Sequence, residues 1–175
     1  MMKTAMTISP PSGVLKFVAT LSSLDEGIEL VAKAGFDAVE IAIRDPKELD
    51  AAAIQKTVEK NGIELCVIGT GQSYVFDKLS LSTPKEENRI RAVERYKSQM
   101  QFAAHFGART TLALSLGVIE EGTTREQALA CAARSLEEII PFGQKLGVSI
   151  LLEPINRYET NLINTLEQAA ELNQM

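Results

Sequence analysis

The sequence predicts an α/β protein whose strands form a parallel βα barrel, incomplete, with about five of the eight βα units that closure needs. Three observations carry that reading. Strand-like runs alternate with helical patterns, a glycine stands at four of the helix-to-strand passages, and the strands set bulky apolar residues against small or polar ones.

The first run, residues 4–9, places Met6 and Ile8 on one face and Ala5, Thr7 and Ser9 on the other. A helical pattern at 24–34 stops at Gly35, and the second run, 38–43, alternates Val39, Ile41 and Ile43 with Glu40, Ala42 and Arg44. Helical period returns at 47–60 and stops at Gly62, before a third run at 63–68. The longest helical patterns, 85–106 and 125–146, end at Gly107 and Gly147. Between them lies a fourth run, 110–115, with Leu112 and Leu114 opposite Thr111, Ala113 and Ser115; after them comes the fifth, 148–152, with Val148, Ile150 and Leu152 opposite Ser149, Leu151 and Glu153. A last helix begins near Thr165.

A glycine just past a helix takes the left-handed cap conformation cheaply, so each of the four marks a stop. The strand faces choose between two architectures. A doubly wound sheet, buried on both sides, favours continuously apolar strands, whereas a barrel lets its inner face turn polar towards the catalytic end. Residues 1–175 are therefore read as a single partial barrel domain, ending after the fifth strand and the start of its helix. An open sheet of that kind exposes two edges, so self-association through them, or a homo-oligomer, is expected.

Composition narrows the function. With 45% apolar and 23% charged residues, the 175-residue chain has the makings of one core and none of the signature of disorder. Its start holds no apolar run suited to a signal peptide, and no window approaches the ~20 apolar residues of a membrane span. A cytoplasmic protein without a membrane partner is expected. Cys66 and Cys131 have neither disulfide-framework nor zinc-ligand spacing and read as small buried apolar residues. A net charge of −5 opposes a nucleic-acid surface and suits a carboxylate-lined site that holds a cation.

The chemistry concentrates after the fifth run, in Glu153-Pro-Ile-Asn156-Arg157-Tyr158-Glu159-Thr160. Glu153 falls at the carboxyl end of a strand, where barrel enzymes place catalytic groups, and Pro154 stops simple continuation of the ladder. Asn156 and Arg157 follow closely enough to reach sugar hydroxyls or to fix the loop. Glu40 points inwards from the second strand, to orient a ligand, contact substrate or act as a buried polar group held by a neighbouring strand. The only histidine, His105, lies beside Phe102 and Phe106 on a helix outside the barrel and reads as a packing residue. Gly69-Thr-Gly71 lacks any dinucleotide or Walker pattern around it. Glu120-Glu121 and Lys85-Glu-Glu87 read as solvated charges at helix starts.

The segment from Glu153 to Thr160, followed after Asn161 by Leu-Ile-Asn-Thr, resembles the strand-five motif of the xylose-isomerase-like TIM-barrel superfamily, in its ketose 3-epimerase and hydroxypyruvate isomerase branch. Ala34-Gly-Phe-Asp-Ala-Val-Glu40 and Thr70-Gly-Gln-Ser-Tyr74 support the resemblance, which extends over essentially the whole chain but over only the first part of such a barrel. It implies a sugar or sugar-phosphate isomerase or epimerase acting on a small-molecule ketose, with a divalent cation, Mn²⁺ or Mg²⁺, as cofactor. Glu153 would be a metal ligand and one of two acid/base carboxylates, and Glu159 would contact substrate. The other ligands, an aspartate, a histidine and a second glutamate, would come from beyond Met175. The alternatives are a half-barrel interaction module or pseudo-enzyme subunit, and a relative of the abasic-site endonucleases; one histidine and the acidic balance argue against the last.

Overall fold

The computed structural model describes residues 2–11, 19–20 and 22–175. Strand β1 (Ala5–Ser9) is followed by β2 (Ala19–Thr20), α1 (Leu24–Lys33), β3 (Ala38–Ala42), α2 (Ala51–Asn61), β4 (Glu64–Gly69), α3 (Gln72–Asp77) and α4 (Glu86–His105). Then come β5 (Arg109–Leu112), α5 (Arg125–Leu146), β6 (Ile150–Leu152) and α6 (Leu166–Gln174). All strands join one parallel sheet in the order β2-β1-β3-β4-β5-β6. Apart from the two-residue β2, neighbours in sequence are neighbours in space. That is the order of a βα barrel; a doubly wound sheet would reverse direction at a switch point.

The face alternation predicts which side the helices cover. Ile8, Val39, Ile41, Ile43, Ile68 and Leu112 are buried against Ile28, Ile54, Val93 and Ile139 from the helices. The opposite, concave face carries Thr7 beside Glu40 and Glu40 beside Val67. At the far side of the sheet Leu151 points to this concave face and stays 39% exposed.

The helices start where short polar side chains cap them. Ser23 Oγ accepts the Glu26 N–H, Asp50 the Ala53 N–H and Thr165 the Gln168 N–H, while Thr124 and Gln127 form a reciprocal capping box on α5. Gly62 and Gly147 close α2 and α5 at φ +60° and +69°, as the sequence predicts. Between α4 and α5 the approach is close, since a Cβ on Gly143 would meet Met100 Cε at 2.3 Å. Arg89 of α4, its side chain 7% exposed, pairs with Glu86 of its own helix at 2.7 Å and bridges to α5 through Glu138 at 2.9 Å. Tyr96, 1% exposed, donates its hydroxyl to the Thr111 carbonyl at 2.9 Å.

The structure corrects several boundaries. The predicted 47–60 helix is two elements: a 3₁₀ turn at Pro46–Glu48, capped by Asp45, and α2, capped by Asp50. The fourth run ends at Leu112, after which Leu114–Leu116 turns as 3₁₀, so Ser115 is a loop residue bonded to Thr70 Oγ1 at 2.9 Å. Two elements were not foreseen. Helix α3 is too short to show a helical period, and β2 is only two residues long. Cys66 and Cys131 are both half-buried and free. Glu120 is not a helix-start charge; it pairs with Lys85 at 2.7 Å and accepts the Thr83 hydroxyl at 2.5 Å. No helix among the described residues is long and apolar enough to cross a membrane.

Candidate active site

Glu153 follows β6 directly, and its N–H continues the ladder to the Leu112 carbonyl at 3.0 Å. Pro154 cannot donate the next bond, and the chain turns into a loop tied down from several sides. Ile155 N–H donates to the Ile163 carbonyl at 3.0 Å, and Asn164 Nδ2 donates to the Ile155 and Thr160 carbonyls at 2.6 and 3.0 Å. Thr160 Oγ1 reaches the Gly117 carbonyl at 2.8 Å, and Asn161 Oδ1 accepts the Ile119 N–H at 2.7 Å. The tip that carries Asn156, Arg157, Tyr158 and Glu159 is exposed on this fixed base.

Within the tip Asn156 is committed to the turn. Its Oδ1 accepts the Tyr158 N–H at 3.0 Å and its Nδ2 donates to Glu159 Oε1. Arg157 is exposed and forms no ion pair among the described residues, so the structural ion-pair role open to such an arginine is not taken up.

Three carboxylates influence one another across the concave face. Glu40 is half-buried, and burial pushes its carboxyl above the usual carboxylate range; the charge of Glu153 pushes the same way, while a hydrogen bond from Thr7 opposes both. Glu153 is exposed by surface area, yet protein on one side strips enough water from its carboxyl to raise it too, and the charge of Glu159 adds to that. Gly69 makes the room for Glu40: a Cβ there would stand 3.0 Å from Glu40 Oε1. Burial also pushes the Cys66 thiol up, and the Glu40 charge reinforces it.

The structure thus brings Glu40, Glu153 and Glu159 into electrostatic reach and sets Asn156 and Arg157 on the rim. Among the described residues no three His, Cys, Asp or Glu side chains come together as a metal-binding group. The residues present fit one or two carboxylate ligands of a hard cation and not a whole ligand set. Thr7 and Gly69, which hold Glu40, escaped sequence reasoning; the signal for Thr7 was its place on the same inward face. Thr70, in the Gly69-Thr-Gly71 loop, spends its N–H on Thr111 Oγ1 at 3.2 Å. His105 is exposed on the outer side, its ring edge-on to Phe106 at 4.9 Å.

Comparison with known proteins bears on the fold and the family. The L-ribulose 3-epimerase of Mesorhizobium japonicum is 27% identical over 167 residues, covering 89% of this chain and 53% of that protein. The D-psicose 3-epimerase of Agrobacterium fabrum is 28% identical over 147 residues, covering 79% and 49%. The chain thus spans about half the length of the curated relatives it matches. A crystal structure of D-psicose 3-epimerase with D-tagatose from Clostridium cellulolyticum H10 superposes with a TM-score of 0.79 at 24% identity, covering 99% of this chain and 59% of that one. That likeness shows the fold, and the sheet described above is part of such a barrel. The family model described as Xylose isomerase-like TIM barrel matches residues 28–175, and the chain belongs to that family.

Proposed function

We propose that this chain carries the strand-five side of a ketose epimerase or isomerase site, with Glu153 as its acid/base carboxylate and one of its metal ligands. The observation that supports this most is the placement of Glu153 at the carboxyl end of β6, facing Glu40 across the concave face, in a chain whose curated relatives are ketose 3-epimerases. A carboxylate with raised proton affinity is a better base for a carbon acid. It takes the proton beside the sugar carbonyl, leaving an enediolate, and return of a proton from a second carboxylate on the opposite face inverts the centre. A bound Mn²⁺ or Mg²⁺ supplies Lewis-acid stabilisation of the enediolate oxygens. Asn156 orients Glu159, Glu159 and Arg157 meet substrate hydroxyls, and Glu40 lines the floor. On this reading the protein acts in the cytoplasm, with a small ketose as its partner, and forms a homo-oligomer.

The test is solvent deuterium exchange into L-ribulose and D-psicose with added Mn²⁺, followed by NMR on protein expressed from the uninterrupted gene. Exchange beside the carbonyl that disappears in Glu153→Gln is the expected result. Undiminished exchange in that variant would remove Glu153 from the chemistry.

A further inference from the structure

The loop after β5 lies between two other segments and is bonded to both. On one edge the Leu81 and Ser82 N–H groups donate to the Ser115 and Leu116 carbonyls at 3.1 and 3.0 Å, and Ser82 Oγ donates to the Val118 carbonyl at 3.4 Å. Ser80 Oγ adds a bond to the Leu116 carbonyl at 3.0 Å. Ser80, Ser82, Ser115 and Leu116 are each at most 3% exposed, so this edge is a fixed base. On the other edge stand the two residues that follow Glu159. Thr160 Oγ1 donates to the Gly117 carbonyl, and the Asn161 amide takes both polar groups of Ile119, its Oδ1 accepting the N–H at 2.7 Å and its Nδ2 donating to the carbonyl at 3.4 Å. Leu116 and Val118 thus bond to one side and Gly117 and Ile119 to the other, the alternation of an extended segment paired on both edges.

We propose that Asn161 is a positioning residue for Glu159: it locks the tip that carries Glu159 to the loop after β5, so that the two loops meet the substrate as one body. Thr160 alone is a pivot, since a single hydrogen bond leaves the tip free to swing about it. Asn161 supplies the second point, two residues along the same edge at Ile119, and a side-chain amide offers a donor and an acceptor together to one residue's main chain. Asn161 is exposed, where a hydrogen bond adds little to stability, so what the contact contributes is orientation. Orientation is what a substrate-holding carboxylate needs, because a binding group works only where its geometry is kept. The inference rests on the proposed contact between Glu159 and substrate, and on loops whose strands, β5 and β6, are paired neighbours in the sheet.

Two measurements test it. In the 175-residue chain, Asn161→Leu should speed hydrogen exchange at the Ile119 and Glu159 amides by about tenfold or more, and leave the Leu81 and Ser82 amides within about twofold, because their edge is untouched. An unchanged Glu159 amide overturns the proposal. In protein expressed from the uninterrupted gene, deuterium exchange into L-ribulose with added Mn²⁺ should show KM raised about fivefold or more by Asn161→Leu, with kcat within about twofold, since Glu159 holds ground state and transition state alike. Added to Glu159→Ala, the same substitution should cost less than about a further twofold. An unchanged KM overturns the proposal, and so does a loss that multiplies with that of Glu159→Ala, which would mean that Asn161 acts apart from Glu159. Failure of the ketose reading shows separately, as exchange into the sugar that Glu153→Gln does not diminish, and the amide measurement then decides on its own.

Discussion

Asn156 holds Glu159 by both main chain and side chain: its carbonyl accepts the Glu159 N–H at 3.1 Å while its Nδ2 donates to the Glu159 carboxylate. The pair turns a four-residue tip into a fixed presentation of one carboxylate towards Glu153. Asn156→Ala should speed hydrogen exchange at the Tyr158 and Glu159 amides by about tenfold, with a loss of under ~1 kcal/mol in global stability because the tip is exposed. Peptide-resolved exchange with a urea titration reads both. Unchanged exchange would mean that the turn is held by Thr160 and Asn164 alone.

Gly69→Ala tests the seat of Glu40. The new Cβ would stand 3.1 Å from Ala42 Cα as well as 3.0 Å from Glu40 Oε1, and the backbone contact cannot yield without opening the β3–β4 ladder. A destabilisation of about 1–2 kcal/mol is expected from overpacking of this kind, measured as a lower urea midpoint. Gly69→Ala with Glu40→Ala should recover only part of it.

Asp77 gives a pH dependence. Arg44 and Arg95 contact its carboxylate at 2.6 and 3.0 Å, and the Arg44 hydrogen bond chiefly holds it below the usual carboxylate range. A depressed folded-state value means that the unfolded chain binds the proton more readily. The stabilisation is therefore complete above the unfolded value of about 3.9 and lost as pH falls through the folded one. Asp77→Asn should cost about 1–2 kcal/mol at pH 7, a partly buried bridge lying between surface and fully buried cases. The gap between variant and wild type should close as unfolding is measured towards pH 2.

Arg89→Met removes a cation whose partners, Glu86 and Glu138, are about half exposed. Both carboxylates can rehydrate, so the cost should be about 1–2 kcal/mol, below the 3–5 kcal/mol of stranding a fully buried charge. Thermal unfolding monitored by circular dichroism measures it. A loss above that range would show that the hydrogen bond to Ser135 keeps α4 and α5 in register.

Long amphipathic stretches with caps were legible in the sequence: α5 occupies its predicted residues, and Val39, Ile41 and Ile43 face the helices as their alternation requires. Short elements were not. Six residues of α3 span too few turns to show a period, and the fourth strand looked longer than it is because Leu114 and Ser115 keep alternating inside a 3₁₀ turn. Glu153 stood out because a strand ran straight into it, and Glu159 only through the resemblance of the segment that holds both. Thr7 and Gly69 did not, since what they do depends on β1 and β4 lying either side of Glu40, a relation between strands that no local pattern contains.

The tyrosines make the chain its own spectroscopic reporter. It has no tryptophan and three tyrosines, of which Tyr158 is 92% exposed and Tyr96 is locked between α4 and β5. Tyr74 on α3 is half-buried, so a near-ultraviolet dichroism band from tyrosine would come from Tyr96, whose ring is wholly buried, with a smaller share from Tyr74. Loss of that band with the helical signal retained would mark α4 lifting from the sheet before the helices melt, a step that a single far-ultraviolet trace would miss.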